Sequence, residues 1–151
     1  MRRRIPALVA VAALIVTLAP GQQAATAETS KQARSAATDW IINTKTGNGD
    51  GAGTDANVYV QLHGTEGRRT GFIELENQSH DDFERGSVDT FAITTADLGD
   101  LTWICLRVDD AGLFPDWTVE YVLATPKGGR RFTAVFNGRM PVNKRICRRT
   151  S

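Results

Sequence analysis

Two cysteines and two histidines are all that this 151-residue chain carries of the residues that most often hold metals or act as nucleophiles. No CxxC pair and no Cys/His cluster is present, which excludes a zinc finger or zinc ribbon. Neither His63 nor His80 sits in a nucleophile motif. Ser79-His80-Asp81 is contiguous, whereas the members of a triad meet in space from different elements. The carboxylate pairs Asp81-Asp82 and Asp109-Asp110 would need a substrate cleft for glycosidic acid–base work, and a chain this short leaves little room for one. A non-catalytic protein is therefore expected, with a small hydrolase as the minor alternative. Beyond Ala27 no apolar run is long enough to span a bilayer. No helical periodicity of useful length, internal repeat or long low-complexity tract appears there either. Charge of one sign is also lacking: 18 Lys and Arg stand against 17 Asp and Glu.

What is present begins with Arg2-Arg3-Arg4, an apolar run from Ile5 to Ala19, Pro20-Gly21, and then Ala25-Thr26-Ala27. This order is that of a secretory signal peptide over residues 1–27, cleaved after Ala27, and it predicts a secreted, extracellular protein. The segment holds three arginines and no acids, so its removal leaves 15 basic against 17 acidic residues. A mature chain near −2 has no footprint of a general nucleic-acid binder, so no nucleic-acid partner is expected. Residues 28–37, Glu-Thr-Ser-Lys-Gln-Ala-Arg-Ser-Ala-Ala, read as a polar linker. In an exported chain Cys105 and Cys147 have one intramolecular pairing open to them, a disulfide near the C-terminus; two separate free thiols are the other reading.

From Thr38 onward short alternating segments are separated by turn residues, the pattern of an antiparallel sandwich. Strands are predicted at 40–45, 57–63, 69–75 and 88–94, then a fifth after the turn Leu98-Gly99-Asp100, then at 117–123 and 131–136, with a last short one near 145–147. In the fifth, Ile104, Leu106 and Val108 share one face, and Trp103, Cys105 and Arg107 the other. In the sixth, Trp117, Val119, Tyr121 and Leu123 are expected in register. All three tryptophans, Trp40, Trp103 and Trp117, are expected in the core. Seven or eight strands in this length give a two-sheet β-sandwich, and a monomer is expected.

The stretch around which the rest is organised is Gly47-Asn48-Gly49-Asp50-Gly51-Ala52-Gly53-Thr54-Asp55-Ala56-Asn57-Val58. Its glycines permit tight turns, and Asp50, Asp55 and Asn57 sit where the loop meets the strand. Two more acidic loops run from His80 to Glu84 and from Asp109 to Asp116. Loops of a sandwich cluster at its ends, so the three can converge and offer the six to eight oxygens that calcium takes. The same residues also read as acids that bond only their local backbone, and the pattern leaves both readings open.

Several pieces of the chain, in order, resemble a known family. They are Thr46-Gly47, Gly51-Ala52-Gly53-Thr54-Asp55-Ala56-Asn57-Val58, Asp82-Phe83-Glu84-Arg85-Gly86, Val88-Asp89-Thr90-Phe91, Leu98-Gly99 and Pro115-Asp116-Trp117. Together they look like a PLAT (lipoxygenase-homology) domain from about Trp40 to about Phe136. The resemblance implies an all-β sandwich of two four-stranded antiparallel sheets, placed at residues 38–137, with 138–151 as a basic C-terminal tail pinned by any disulfide. It also implies calcium as a candidate ligand. By motif position the metal candidates are Asp55, Asp81, Asp82, Glu84, Asp116 and the backbone carbonyl of Gly53, with Asn57 and Asp109 behind them. Membrane-binding members of the family often carry a large aromatic at the tip of the first loop, where this chain has Asp50 and Gly51. The apolar tip left is Leu113-Phe114, expected to contact a membrane or a partner if exposed, and to be core if not. The implied function is a secreted, non-catalytic binding module, calcium-assisted, that recognises a lipid or membrane surface or a protein partner through the loops at one end. The alternative is a metal-free, disulfide-stabilised protein-interaction or structural domain.

Overall fold

A computed structural model describes residues 37–78 and 80–151. The expected signal peptide and almost all of the expected linker fall outside the described residues; Ala37 already opens the first strand. The strands are β1 (Ala37–Thr46), β2 (Val58–Gly64), β3 (Ile73–Leu75), β4 (Val88–Ala96), β5 (Leu101–Val108), β6 (Trp117–Pro126), β7 (Phe132–Met140) and β8 (Arg145–Arg149). They form two four-stranded sheets, β4-β1-β6-β7 and β3-β2-β5-β8, and every pairing is antiparallel. The expected sandwich is therefore the fold.

Period-two alternation builds the core. In β1 the residues Trp40, Ile42, Thr44 and Thr46 point inward and are buried; in β2 it is Val58, Val60 and Leu62, and in β5 Ile104, Leu106 and Val108. Each large apolar side chain removed from water contributes about 1.5–3 kcal/mol. Deep between the sheets, the indole N–H of the fully buried Trp117 donates to Thr46 Oγ1 at 3.0 Å, joining residues 71 apart in sequence.

Four local expectations are corrected. β6 contains a β-bulge between Val119 and Tyr121, which shifts the inward phase by one residue. Val122 and Ala124 are buried beyond it, and Tyr121 and Leu123 are only partly covered. The third strand is only Ile73–Leu75, because ahead of it Arg69 makes just an isolated bridge to His63 and Thr70 is engaged by side-chain hydrogen bonds, its hydroxyl accepting from the Leu62 N–H and its carbonyl from the Gln61 amide. Trp103 lies on the outer face of β5, where the Arg149 guanidinium sits 4.9 Å above its ring. The segment after Asn137 is more sheet than the expected tail: β7 runs on to Met140, and the short last strand expected near 145–147 is β8, paired with β5 as an outer strand.

β8 also places Cys147 directly opposite Cys105, and the two form a disulfide spanning 42 residues. No thiol is expected to titrate in the non-reduced protein. Replacing both cysteines by alanine should lower stability by about 4 kcal/mol if loop entropy dominates. Alkylation followed by denaturant melts of the two forms measures both quantities.

Candidate functional site

The strand directions send four connections to one end: 47–57, 76–87, 109–116 and 141–144. All four cross from one sheet to the other, and backbone hydrogen bonds knit them together. Gly47 donates to Thr118 and Thr118 to Ala52; Gly86 donates to Gly47 and Asn143 to Val108. Thr54 donates its N–H to the carbonyl of Phe83 at 3.3 Å, and Asp55 donates to the carbonyl of Phe114 at 3.2 Å. The three acidic loops thus do converge.

Glycine is required where the loops touch. A Cβ on Gly53 would lie 3.1 Å from the Phe83 carbonyl oxygen and 3.2 Å from the Arg85 nitrogen. Gly112, at φ +76°, packs so closely on Asp55 that a Cβ would come within 2.7 Å of it. A side chain at Gly112 would push two loops apart, and one at Gly53 would need the neighbouring backbone to give by a few tenths of an ångström.

Two depressions result. The larger, of about 730 Å³, is lined by Gly53, Asp55, Glu84 and Asp116 from the expected metal set, by Asp50, Arg85 and Arg139, and by Leu113 and Phe114 on its rim. The smaller, of about 150 Å³, is lined by Asp55, Asn57, Asp81 and Asp82, with Glu74, Glu76 and His80. Asp55 borders both. In the larger cleft Arg85 pairs with Asp50 and Arg139 with Asp116, all exposed or nearly so. Leu113 and Phe114 are 86% and 71% exposed. Their exposure is not the result of a loose loop, since the Phe114 carbonyl accepts from the Asp55 N–H and from the Thr54 hydroxyl at 3.1 Å.

Asp109 is engaged otherwise. Its carboxylate accepts from the Asn57 N–H at 3.0 Å, the Asn57 side-chain amide at 2.8 Å, the Ala111 N–H at 3.1 Å and the Tyr59 hydroxyl at 3.4 Å. Burial acts to raise its pKa, but these hydrogen bonds outweigh burial and hold it below the ordinary aspartate value. Tyr59 is pushed upward by burial and by the negative charges of Glu74 and Asp109. On the outer face nearby, burial and then the charges of Arg69 and Arg145 lower the pKa of His63, so β8 makes this face electropositive.

Reading the sequence missed one pair of residues. Asp89 is 3% exposed and lies on the inner face of β4, where it accepts from the Phe83 N–H at 3.0 Å and from Ser87 Oγ at 2.6 Å; His80 Nε2 is 3.6 Å from its other oxygen. The signal was available: Asp89 alternates in phase with Phe91 and Ile93, and an acid on the inner phase of a strand must find partners.

A group whose folded pKa is depressed stabilises the fold above its unfolded pKa, and that contribution is lost as pH falls through the folded value. Asp109→Asn places an amide donor where the Asn57 amide and Tyr59 hydroxyl already donate. The variant should melt at a lower temperature than the parent at pH 7. The gap should narrow on acidification below roughly pH 4, the ordinary aspartate range. Thermal melts across pH measure this, and a gap independent of pH would contradict it.

Comparison with known proteins agrees with this architecture. The model of the PLAT/LH2 domain family matches residues 40–145. Lipoxygenase homology domain-containing protein 1 of Mus musculus is 45% identical over 80 residues, 53% of this chain and 4% of that protein. The allene oxide synthase-lipoxygenase protein of Plexaura homomalla is 35% identical over 85 residues, 54% of this chain and 8% of that one. Among solved structures, coral 8R-lipoxygenase, described as calcium-activated through a C2-like domain, superposes with a TM-score of 0.68 at 29% identity, over 75% of this chain and 17% of its own. This chain thus matches one small part of much longer relatives. With sequence, sheet order and loop convergence in agreement, the chain belongs to the PLAT/LH2 domain family.

Proposed function

We propose that this protein is a secreted, non-catalytic binding module that docks on an anionic lipid surface through the loop end of the sandwich, assisted by calcium. The observation that carries this reading is the pairing of an acidic cleft with an apolar tip. Leu113 and Phe114 project from a loop whose backbone is held by Thr54 and Asp55, directly on the rim of a cleft lined by Asp50, Asp55, Glu84 and Asp116. Fixed, exposed apolar side chains of this kind mark contact with a membrane or a partner.

The donor set fits calcium. The cleft offers carboxylates and backbone, and no nitrogen or sulfur ligand, as a hard cation requires. Asp55, Glu84 and Asp116, with the Gly53 carbonyl, are the residues that would hold it, and Asp50 is within the same lining. Calcium bound there would supply the positive charge that lets an acidic rim approach an anionic headgroup layer. Arg85 and Arg139 hold Asp50 and Asp116 in its absence. Exposed ion pairs of that kind contribute only about 0.2–1 kcal/mol, so they yield readily to a better cation. The likeness to calcium-dependent lipoxygenases, at 28–29% identity, supports the same reading.

The Arg85–Asp50 and Arg139–Asp116 pairs also favour a second reading, in which the two arginines offset half of the cleft's four carboxylates without metal and the rim meets a protein partner. Cosedimentation with phosphatidylserine/phosphatidylcholine vesicles separates the two. Binding is expected with calcium and not with EDTA. Leu113→Ala/Phe114→Ala should weaken it at least tenfold, since burying each side chain is worth about 1.5–3 kcal/mol. Calcium should also raise the melting temperature of that variant as it does the parent's, by up to about 2.7 kcal/mol of stabilisation at a hundredfold excess over Kd. No vesicle binding at all would favour the protein partner, and vesicle binding that ignores calcium would remove the metal from this reading.

A further inference from the structure

Beside the smaller depression, whose lining includes His80 and Asp82, lies a second cluster, defined by a buried carboxylate oxygen of Asp89 that the fold leaves without a partner. The Asp89 side chain is 1% exposed. Its Oδ2 accepts two hydrogen bonds, but its Oδ1, equally buried, has no hydrogen-bond partner among the described residues. A buried anionic oxygen without a partner is costly, and this one faces His80 Nε2 at 3.6 Å. Asp82 completes the group: one donor atom from each of His80, Asp82 and Asp89 lies within 4.8 Å of the other two. Asp82 is already oriented by Asn77, whose backbone N–H and side-chain amide donate to its two oxygens at 2.7 and 2.9 Å. Each of those oxygens keeps a lone pair for a further contact.

We propose that His80, Asp82 and Asp89 form a binding site for a divalent transition-metal ion of the zinc class, distinct from the all-oxygen cleft assigned to calcium. The donor set decides the class of ion. One imidazole and two carboxylates suit zinc and its neighbours, whereas calcium and magnesium take oxygen alone. A tetrahedral ion with ligands about 2.0–2.1 Å away sets its donors about 3.3 Å apart. The His80–Asp89 pair, at 3.6 Å, is close to that spacing, and the exposed His80 ring can close the remainder. Water from the open depression would complete the coordination. The ion would join a surface loop to the inner face of β4, stiffening the segment that also carries Glu84.

The test is titration calorimetry of zinc chloride into the purified, tag-free chain, with calcium in excess so that the oxygen cleft is saturated. One zinc per chain is expected. His80→Ala, at an exposed position that the fold does not need, should weaken zinc binding at least tenfold, the least effect seen even for residues that only support a ligand. Asp82→Asn serves as the second variant, because Asp89→Asn removes the acceptor of the Phe83 amide and risks the fold itself. His80→Ala should leave the calcium-induced rise in melting temperature intact, while Glu84→Ala should reduce that rise and keep zinc binding. No zinc binding, or zinc binding equal to the parent in both His80→Ala and Asp82→Asn, overturns the proposal and leaves the calcium reading untouched.

Discussion

The loop end depends on one residue in an unfavourable backbone conformation. Phe83 adopts φ +63°, a region that costs a non-glycine residue about 1–2 kcal/mol. The cost is offset on two sides. Its ring is buried, stacked on Phe91 at 5.4 Å and edge-on to Trp117 at 5.2 Å, and such aromatic pairs add about 0.5–1.5 kcal/mol beyond burial. Its N–H is taken by the buried carboxylate of Asp89, a charge-assisted bond stronger than a neutral one. Held in this way, Phe83 turns its carbonyl toward Thr54, and the first loop approaches so closely that a Cβ on residue 53 would lie 3.1 Å from that carbonyl oxygen. The aspartate of β4, the phenylalanine of the second loop-end connection and the glycine of the first are therefore one constraint. They convert separate loops into a single rigid rim.

That rim sorts its acids into two kinds. Asp109 and Asp82 are committed to local amides, the first to Asn57 and Ala111 and the second to Asn77. They fix loop shape. Asp55 and Glu84 face the large cleft with no ion pair among the described residues, and Asp50 and Asp116 are held only by exposed arginines. A cation arriving at the large cleft meets carboxylates that are cheap to recruit. The proposed function rests on this division more than on the number of acids.

Much of this was legible in the sequence, for identifiable reasons. Strands that bury one face declare themselves by period two, as β2 and β5 do, and turn glycines such as Gly64 and Gly99 bound them. A sandwich allowed the loops to converge, and the cross-loop hydrogen bonds show that they do. What escaped were features set by neighbours rather than by local pattern. The bulge at Glu120 reconciles β6 with β1 on one side and β7 on the other, so no single strand encodes it. β8 looks like a basic tail because Arg148 and Arg149 sit over the rings of Phe136 and Trp103 instead of alternating with apolar residues; Trp103 is outside for the same reason. Asp89 escaped because its partners, Phe83 and Ser87, come from a loop that no propensity rule orders.

Under the proposed function, the apolar tip and the acidic cleft are not independent devices. Leu113 and Phe114 stand beside carboxylates that an anionic surface repels, and two such charges about 4 Å apart interact by about 1 kcal/mol even in bulk water and more near a low-dielectric layer. Inserting the tip while the cleft is negative would set that repulsion against the few kcal/mol gained from burying two side chains. Neutralising the cleft removes the opposition without altering the tip, because the Phe114 carbonyl is already bonded to Thr54 and Asp55. A charge change at the cleft is therefore enough to alter affinity for a surface, and no conformational change is required.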